Sequence, residues 1–373
     1  MARLGRPSLR AAGVELAVTY SRGMSRRSVT IVVASVLFVL LVAVAALLPV
    51  PYAELSPGPT TDTLGSSDGK QLITVSGRQT YPARGHLNLT TVAVTSADKK
   101  LGLLEALRGW LDDTVAVVPR ETVYPDNQSP DEIEQQNAEE MELSQEHATA
   151  AALLKLGVKP TKRTVLVAEV AADSPAKGKI HAGDQITAVD GVAVSSPEQV
   201  RAQIRKHKPG DQVTLTITRA GKSEDVSVGT RAAEDDPSVA QVGIAPDVGY
   251  SWPFTVDIQL DNVGGPSAGL MFALGIYDKL TPGELTGGKF VAGTGTIDDS
   301  GKVGPIGGIQ MKIIGARRAG ATVFLAPKDN CREAVSNPPK GIRIVPVGTL
   351  DNALSALSAV RAGQAAQLPS CPS

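Results

Sequence analysis

The chain has 373 residues, with 37 basic side chains against 38 acidic ones and a formal net charge of -1. That length supports two or three domains with a sizeable core. The even charge balance argues against nucleic acid as the main partner, because phosphate binding needs a basic surplus. An aromatic content of 3% gives no stacking platform for bases, and a hydrophobic content of 42% excludes a wholly disordered chain. Two cysteines are too few for a disulfide-framed mini-protein or a four-cysteine zinc site.

Residues 29–48 read VTIVVASVLFVLLVAVAALL, twenty residues without a charge. That run matches the apolar thickness of a bilayer at helical rise, and it lacks the polar face of a buried globular helix. Arg3, Arg6, Arg10, Arg22, Arg26 and Arg27 precede it against a single Glu15. The basic flank, residues 1–28, is expected to stay cytoplasmic, which puts the bulk of the chain outside the cell membrane on a single-pass signal anchor. A cleaved signal peptide is the competing reading, but its apolar region is usually about 7–15 residues long.

Within 52–157, LNLTTVAVT (87–95) is rich in β-branched residues and is expected as a strand. Leu101, Leu104, Leu107 and Leu111 recur at helical spacing. Ser129-Pro130-Asp131-Glu132 is a capping box with proline at the first helical position. It predicts a long acidic helix running to Leu156 and stopped by Gly157. The acidic half reads as a solvated face rather than a metal site.

Residues 158–231 predict a small β-rich module. VLVAEV (165–170) is a strand, and Gly183-Asp184 and Asp190-Gly191 are turn signals between short apolar strands. SPEQVRAQIRKH (196–207) starts with a cap and puts Val200 and Ile204 on one face. Pro209-Gly210-Asp211 then turns into QVTLTITRAG, an alternating, edge-like strand. This order resembles a PDZ domain. Such domains bind an extended peptide along a sheet edge, so the resemblance implies a groove between the 165–170 strand and the 197–207 helix. Val165, Leu166, Val167, Val200 and Ile204 would line it. A folded spacer is the bland alternative. The charged segment AAEDDPS (232–238) reads as a link to the last region, 240–360, before a C-terminal tail at 361–373.

In that last region Gly265-Pro266-Ser267-Ala268-Gly269 fits the G-x-S-x-G turn that lifts a serine between a strand and a helix. Backbone N–H groups and a helix N-terminus at such a turn suit a developing oxyanion. His86, His147, His181 and His207 all precede Ser267, so the serine–acid–histidine chain order of α/β-hydrolases is excluded. The bases left downstream are Lys279, Lys289, Lys302, Lys312, Lys328 and Lys340. Lys312 lies in GPIGGIQMKIIGARRAG, where Ile309, Lys312, Ile313, Ala316 and Gly320 share one helical stripe. Lysine among small and apolar residues is desolvated, desolvation lowers its pKa, and a neutral amine can take a serine proton. The bland alternative is a lysine that snorkels to water.

GGPSAGLMFALGIYDKL, VAGTGTID and GKVGPIGGIQMKIIGARRAGATVFLAPKDN together resemble the Lon-type protease domain over about 120 residues. The resemblance implies Ser267 as nucleophile, Lys312 as general base and Thr294 as the residue supporting the lysine. Gly264 and Gly265, with Ser267, would supply backbone donors to the oxyanion. Lon itself usually has an aspartate where this chain has Gly264. The order of anchor, PDZ module and Lon-type domain resembles the YlbL family of bacterial membrane proteases. The expected fold class is thus α+β and multidomain: a transmembrane helix, a PDZ-like module and a C-terminal Lon-type α/β proteolytic domain.

No cofactor or metal is expected, since no H-E-x-x-H pattern occurs. GTGTIDDSGKV resembles a P-loop only superficially, because Val303 stands where Ser or Thr belongs; it is expected as a hairpin turn at 298–301, with no use of nucleotide. Expected partners are protein or peptide substrates and the lipid bilayer through 29–48. Lon-type domains commonly form hexameric rings, so the resemblance also raises a homo-oligomer. Outside the cytoplasm thiols oxidise, and Cys331 and Cys371 are expected to pair; two free thiols are the other reading. The functional expectation is an ATP-independent serine endopeptidase with a recognition or gating module. The alternatives are a non-catalytic PDZ scaffold and an esterase or amidase on the GPSAG turn.

Overall fold

The structure, a computed structural model, describes residues 26–67, 69–125, 129–219, 221–260 and 263–372. Glu15 and the arginines that precede Arg26 lie outside the described residues.

The apolar run forms a helix, Arg26–Leu47, with the segment Arg26–Ala45 reaching a mean hydropathy of 2.8 and no burial inside the protein. It is long and apolar enough to cross a membrane.

The largest sheet has six strands in the order Arg343–Val347, Val323–Pro327, Phe290–Gly293, His86–Val94, Tyr52–Asp62, Ala116–Pro119. The first four run parallel, and the last two are added antiparallel. Segment 52–157 therefore does not stand apart. Its strands complete the sheet of the C-terminal region, with Phe290–Gly293 laid in register against His86–Leu89. Short apolar strands such as VFLAP, buried at every position, suit a sheet covered on both faces. Alternation along them feeds two cores. Val291, Val323 and Leu325 face the side of helix Gly269–Leu280, whereas Ala292, Phe324 and Ala326 face helix Ile309–Ala319.

The long helix Pro130–Lys155 begins as its capping box predicts. Ser129 Oγ accepts from Glu132 N–H (3.2 Å), and Glu132 Oε2 accepts from Ser129 N–H (2.8 Å). It ends before Gly157, whose φ of +72° is left-handed. From Met141 onward it buries Met141, Ala148, Ala151, Ala152 and Leu153 in the same core as helix Gly269–Leu280.

The β-rich module is set between that helix and the strand Thr255–Ile258. Its sheet runs Lys222–Gly229, Gln212–Arg219, Gln185–Val189, Lys162–Val170, Ile244–Ser251. Two expectations are corrected here. Gln212–Arg219 is not an edge, because it pairs on both sides. The segment after residue 231 is more than a link: it makes a short hairpin and returns Ile244–Ser251 to the sheet as its edge strand. The module touches the rest of the chain through polar contacts. Tyr250 hydroxyl donates to Asp299 Oδ2 (2.7 Å), Ala182 N–H donates to Glu139 Oε2 (3.3 Å), and Lys177 pairs with Glu132 (3.3 Å). A disulfide joins Cys331 to Cys371 and ties the tail to the core beside helix Ile309–Ala319.

Candidate active site

Ser267 and Lys312 come from opposite faces of the large sheet. They meet just past the carboxyl end of the parallel strand Phe290–Gly293, the usual place for chemistry in such sheets. Ser267 stands two residues before helix Gly269–Leu280, half-buried in the turn its proline and glycines shape. Gly265 has φ +81°, a left-handed conformation that favours glycine.

Lys312 sits one turn into helix Ile309–Ala319. Ile309, Lys312, Ile313 and Ala316 of the expected stripe are all buried, while Gly320 ends the helix at φ +105°. Two glycines set the helix where Lys312 can reach. Gly308 has φ +67°, and a Cβ there would fall 2.8 Å from Val92 Cγ2. A Cβ on Gly315 would fall 3.1 Å from the carbonyl oxygen of Gly58 on the strand beneath.

Lys312 Nζ lies 2.7 Å from Ser267 Oγ and 3.2 Å from Thr294 Oγ1. Thr294 is itself buried, and its hydroxyl donates to the Ser267 carbonyl (2.9 Å). Lys312 is 4% exposed, and burial pushes its pKa down to about 8. The cause is desolvation, and among the described residues no carboxylate pairs with the amine to hold it in its charged form. The geometry is that of a hydroxyl with a deprotonatable amine at hydrogen-bond distance.

The two glycines expected to serve an oxyanion behave differently. The Gly265 N–H is committed: it donates to the carbonyl of Asn137 on the long helix (2.8 Å). Gly264 is exposed, and among the described residues its N–H has no such partner. A Cβ on Gly264 would fall 2.6 Å from Asn137 Cβ, which is a steric reason for glycine where Lon has aspartate. The long helix is thus the part of the site that sequence reading missed. Ser144 on it donates from Oγ to the Pro266 carbonyl (2.9 Å). In sequence, the small residues Ala148, Ala150, Ala151 and Ala152 are the signal that this helix packs tightly. A groove of about 1210 Å³ leads up to Gly264 between this helix and the sheet, lined by Val92, Val94, Asn137, Met141 and Val263.

The strand expected to line a peptide groove in the β-rich module is paired on both sides. Lys162–Val170 pairs with Gln185–Val189 on one edge and with Ile244–Ser251 on the other, so it offers no edge to a peptide. Val165, Val167 and Val200 are fully buried, and Leu166 and Ile204 nearly so; four of the five, Leu166 excepted, belong to the module's core. The open edge beside helix Pro197–Ile204 is Ile244–Ser251, where Arg201 donates to the Pro246 carbonyl (3.1 Å). The glycine-rich segment after Thr294 forms the expected hairpin, with Thr296–Ile297 paired to Val303–Gly304 and Asp298 Oδ1 accepting from Lys302 N–H (2.9 Å).

Comparison with known proteins defines the class. The family model of the PDZ domain matches residues 152–230, and that of the Lon protease (S16) C-terminal proteolytic domain matches 262–359. Lon protease 1 of Bacillus subtilis (strain 168) is 30% identical over 171 residues, which is 44% of this chain and 21% of that one. Lon protease 2 of Herpetosiphon aurantiacus is 43% identical over 93 residues, 24% of this chain and 11% of that one. The crystal structure of the PDZ domain of the SdrC-like protein from Listeria innocua is 33% identical, covering 22% of this chain and 90% of that one, with a TM-score of 0.20. The chain therefore carries a PDZ domain together with a proteolytic domain of the Lon type, the domain of a serine peptidase. The order of the two matched domains is consistent with a PDZ/Lon-type, YlbL-like arrangement. The chain spans 21% and 11% of the two Lon proteases.

Proposed function

We propose that the protein is an ATP-independent serine endopeptidase, held at the cell membrane by the helix Arg26–Leu47 with its bulk outside. The observation that carries this reading is the 2.7 Å approach of Ser267 Oγ to a lysine amine that burial makes easy to deprotonate. Neutral Lys312 takes the Ser267 proton as Oγ attacks the scissile carbonyl. The resulting ammonium then returns the proton to the leaving amine. Water, deprotonated by the same amine, hydrolyses the acyl-enzyme. Thr294 holds the lysine on target, and backbone N–H groups at Gly264 and Ser267 receive the oxyanion charge.

Substrate enters along the groove bounded by Val92, Val94 and Met141, a route that suits an extended, unfolded segment. Among the described residues Thr255–Ile258 is paired on one edge only, with Ile73–Ser76, which supports strand-like docking of substrate on the other. The edge Ile244–Ser251 of the PDZ module is the place for a substrate tail, and its Tyr250 links that edge to the Asp299 turn of the proteolytic domain.

The test is cleavage of an unfolded protein by the full chain in detergent, together with labelling by a peptide boronate or another serine-directed probe. Ser267→Ala and Lys312→Met are expected to lose both activities while staying folded. Cleavage that survives in Ser267→Ala would overturn the reading. Absence of cleavage and labelling in the unaltered chain would leave a PDZ scaffold with a structural Lon-like domain.

A further inference from the structure

The short helix Leu103–Leu111 is built back to front for a helix of a soluble domain. Its small residues Ala106 and Gly109 face the protein, and a Cβ on Gly109 would fall 2.5 Å from Val117 Cγ2. Its large residues face outward. Leu104 is 45% exposed, Leu107 44%, Trp110 53% and Leu111 88%. Leu104, Leu107 and Leu111 follow the i, i+3, i+7 spacing that makes one stripe. Outside residues 26–48, the other large exposed hydrophobics among the described residues are Val94, Leu154 and Val192, which are scattered. An apolar face concentrated on one helix marks an interaction surface.

The position of that helix says what covers it. It starts where the membrane-type helix ends. Leu103 N–H donates to the Leu48 carbonyl (3.1 Å), and Pro49–Val50 pairs antiparallel with Leu101–Gly102. Trp110 meets Tyr52 edge to face, with centroids 5.4 Å apart, only a few residues beyond Leu48. Tryptophan and tyrosine concentrate at membrane–water interfaces, where one end of the ring is apolar and the other wet. Resting on the anchored reading proposed above, we infer that Leu103–Leu111 lies in the surface of the bilayer. It inserts Leu104, Leu107, Trp110 and Leu111 and seats the extracytoplasmic part of the chain on the membrane.

The attraction is apolar rather than ionic. Lys99, Lys100 and Arg108 on and beside the helix are offset by Asp98, Glu105, Asp112 and Asp113. Lys99 already pairs with Glu105 at 3.8 Å. Docking should therefore need no anionic lipid and persist in salt, unlike basic amphipathic helices. A second copy of the chain is the rival occupant. The continuity of the stripe with the end of the anchor favours lipid.

The experiment uses the full chain reconstituted into phosphatidylcholine vesicles. The sequence has two tryptophans, so Trp252→Phe leaves Trp110 as the reporter. Its emission should be blue-shifted and fall about twofold with lipids brominated high on the acyl chain, and much less with bromine near the chain end, as suits a helix at interfacial depth. High salt should change neither result. Leu107→Glu with Leu111→Glu, both exposed and so tolerated by the fold, should abolish the quenching while the chain still floats with vesicles. Unquenched Trp110 in a chain that floats would overturn the docking and leave the anchor standing. A chain stripped from vesicles by alkaline carbonate would overturn both. A blue shift without bromine quenching, seen only at high protein density, would assign the face to a contact between copies and overturn the lipid assignment.

Discussion

The amide of Gly265 donates a 2.8 Å hydrogen bond to the carbonyl of Asn137, joining the serine turn to a helix far away in sequence. Seven residues further along that helix, Ser144 makes the second tie, from its hydroxyl to the Pro266 carbonyl. These two bonds bracket Gly265 and Pro266 immediately before Ser267. The position of the serine oxygen is thus fixed from outside the segment that contains it. In Ser144→Ala the turn keeps the Gly265 tie, and the Pro266 carbonyl keeps the Gly269 N–H (3.5 Å) as a donor, so the loss is about 1 kcal/mol. If that loss falls on the turn's catalytic position, kcat drops roughly fivefold with KM nearly unchanged. Steady-state kinetics on a peptide substrate check this, and a change in KM alone would count against it.

The pH dependence follows from Lys312. Its pKa in the folded chain is about 8, against 10.5 in its ordinary state. The base works only when neutral, so kcat/KM should rise with pH through about 8 and level off above it. Lys312→Arg should be inactive across the range, because a guanidinium stays charged.

The same group affects stability with a definite sign. Its folded pKa lies below the unfolded value, so the folded chain binds fewer protons between about 8 and 10.5. Stability contributed by this site therefore increases as pH rises through that window, and the cost of burying the charge is complete below it. Lys312→Met removes a buried amine and should gain about 2 kcal/mol at neutral pH while losing activity. Urea unfolding at pH 7 measures it; a Met variant less stable than the unaltered chain would contradict the desolvation account.

Thr294 accepts from the lysine side and donates to the Ser267 carbonyl, so one hydroxyl links both members of the pair. Thr294→Val keeps the volume and removes both bonds. It should cost about 2 kcal/mol in transition-state stabilisation, roughly a thirtyfold fall in kcat/KM. Thr294→Ser should restore most of that rate, an outcome that a purely packing role would not give.

The Cys331–Cys371 bridge closes a loop of 40 residues in sequence separation. Chain-entropy reasoning assigns such a loop about 3–4 kcal/mol, and both sulfurs are buried against Phe324 and Ile344. Reduction, or Cys371→Ser, should lower the unfolding midpoint accordingly. Equal denaturation curves with and without reductant would show that the bridge contributes nothing.

Much of this protein can be read along the chain because the signals are local. The apolar run 29–48, the Ser129–Glu132 capping box, the GPSAG turn and the stripe of Ile309, Lys312, Ile313 and Ala316 are each patterns of neighbouring residues, governed by helical period and backbone conformation. Chain order also excluded the serine–acid–histidine order of α/β-hydrolases, because all four histidines precede Ser267. Distance in sequence hid the rest. Whether His86–Val94 joins its own hairpin or the strand Phe290–Gly293 is decided by long-range pairing, which composition does not specify. The strand at 165–170 has the pattern of a peptide-binding edge, yet Ile244–Ser251 takes that edge because the chain returns after its hairpin. Gly265 carries a donor in sequence, and only the packed helix at Asn137 determines that the donor is already used. Leu104, Leu107 and Leu111 show helical spacing in sequence, but only the fold turns that stripe outward, because periodicity reports which residues share a face and not what that face meets.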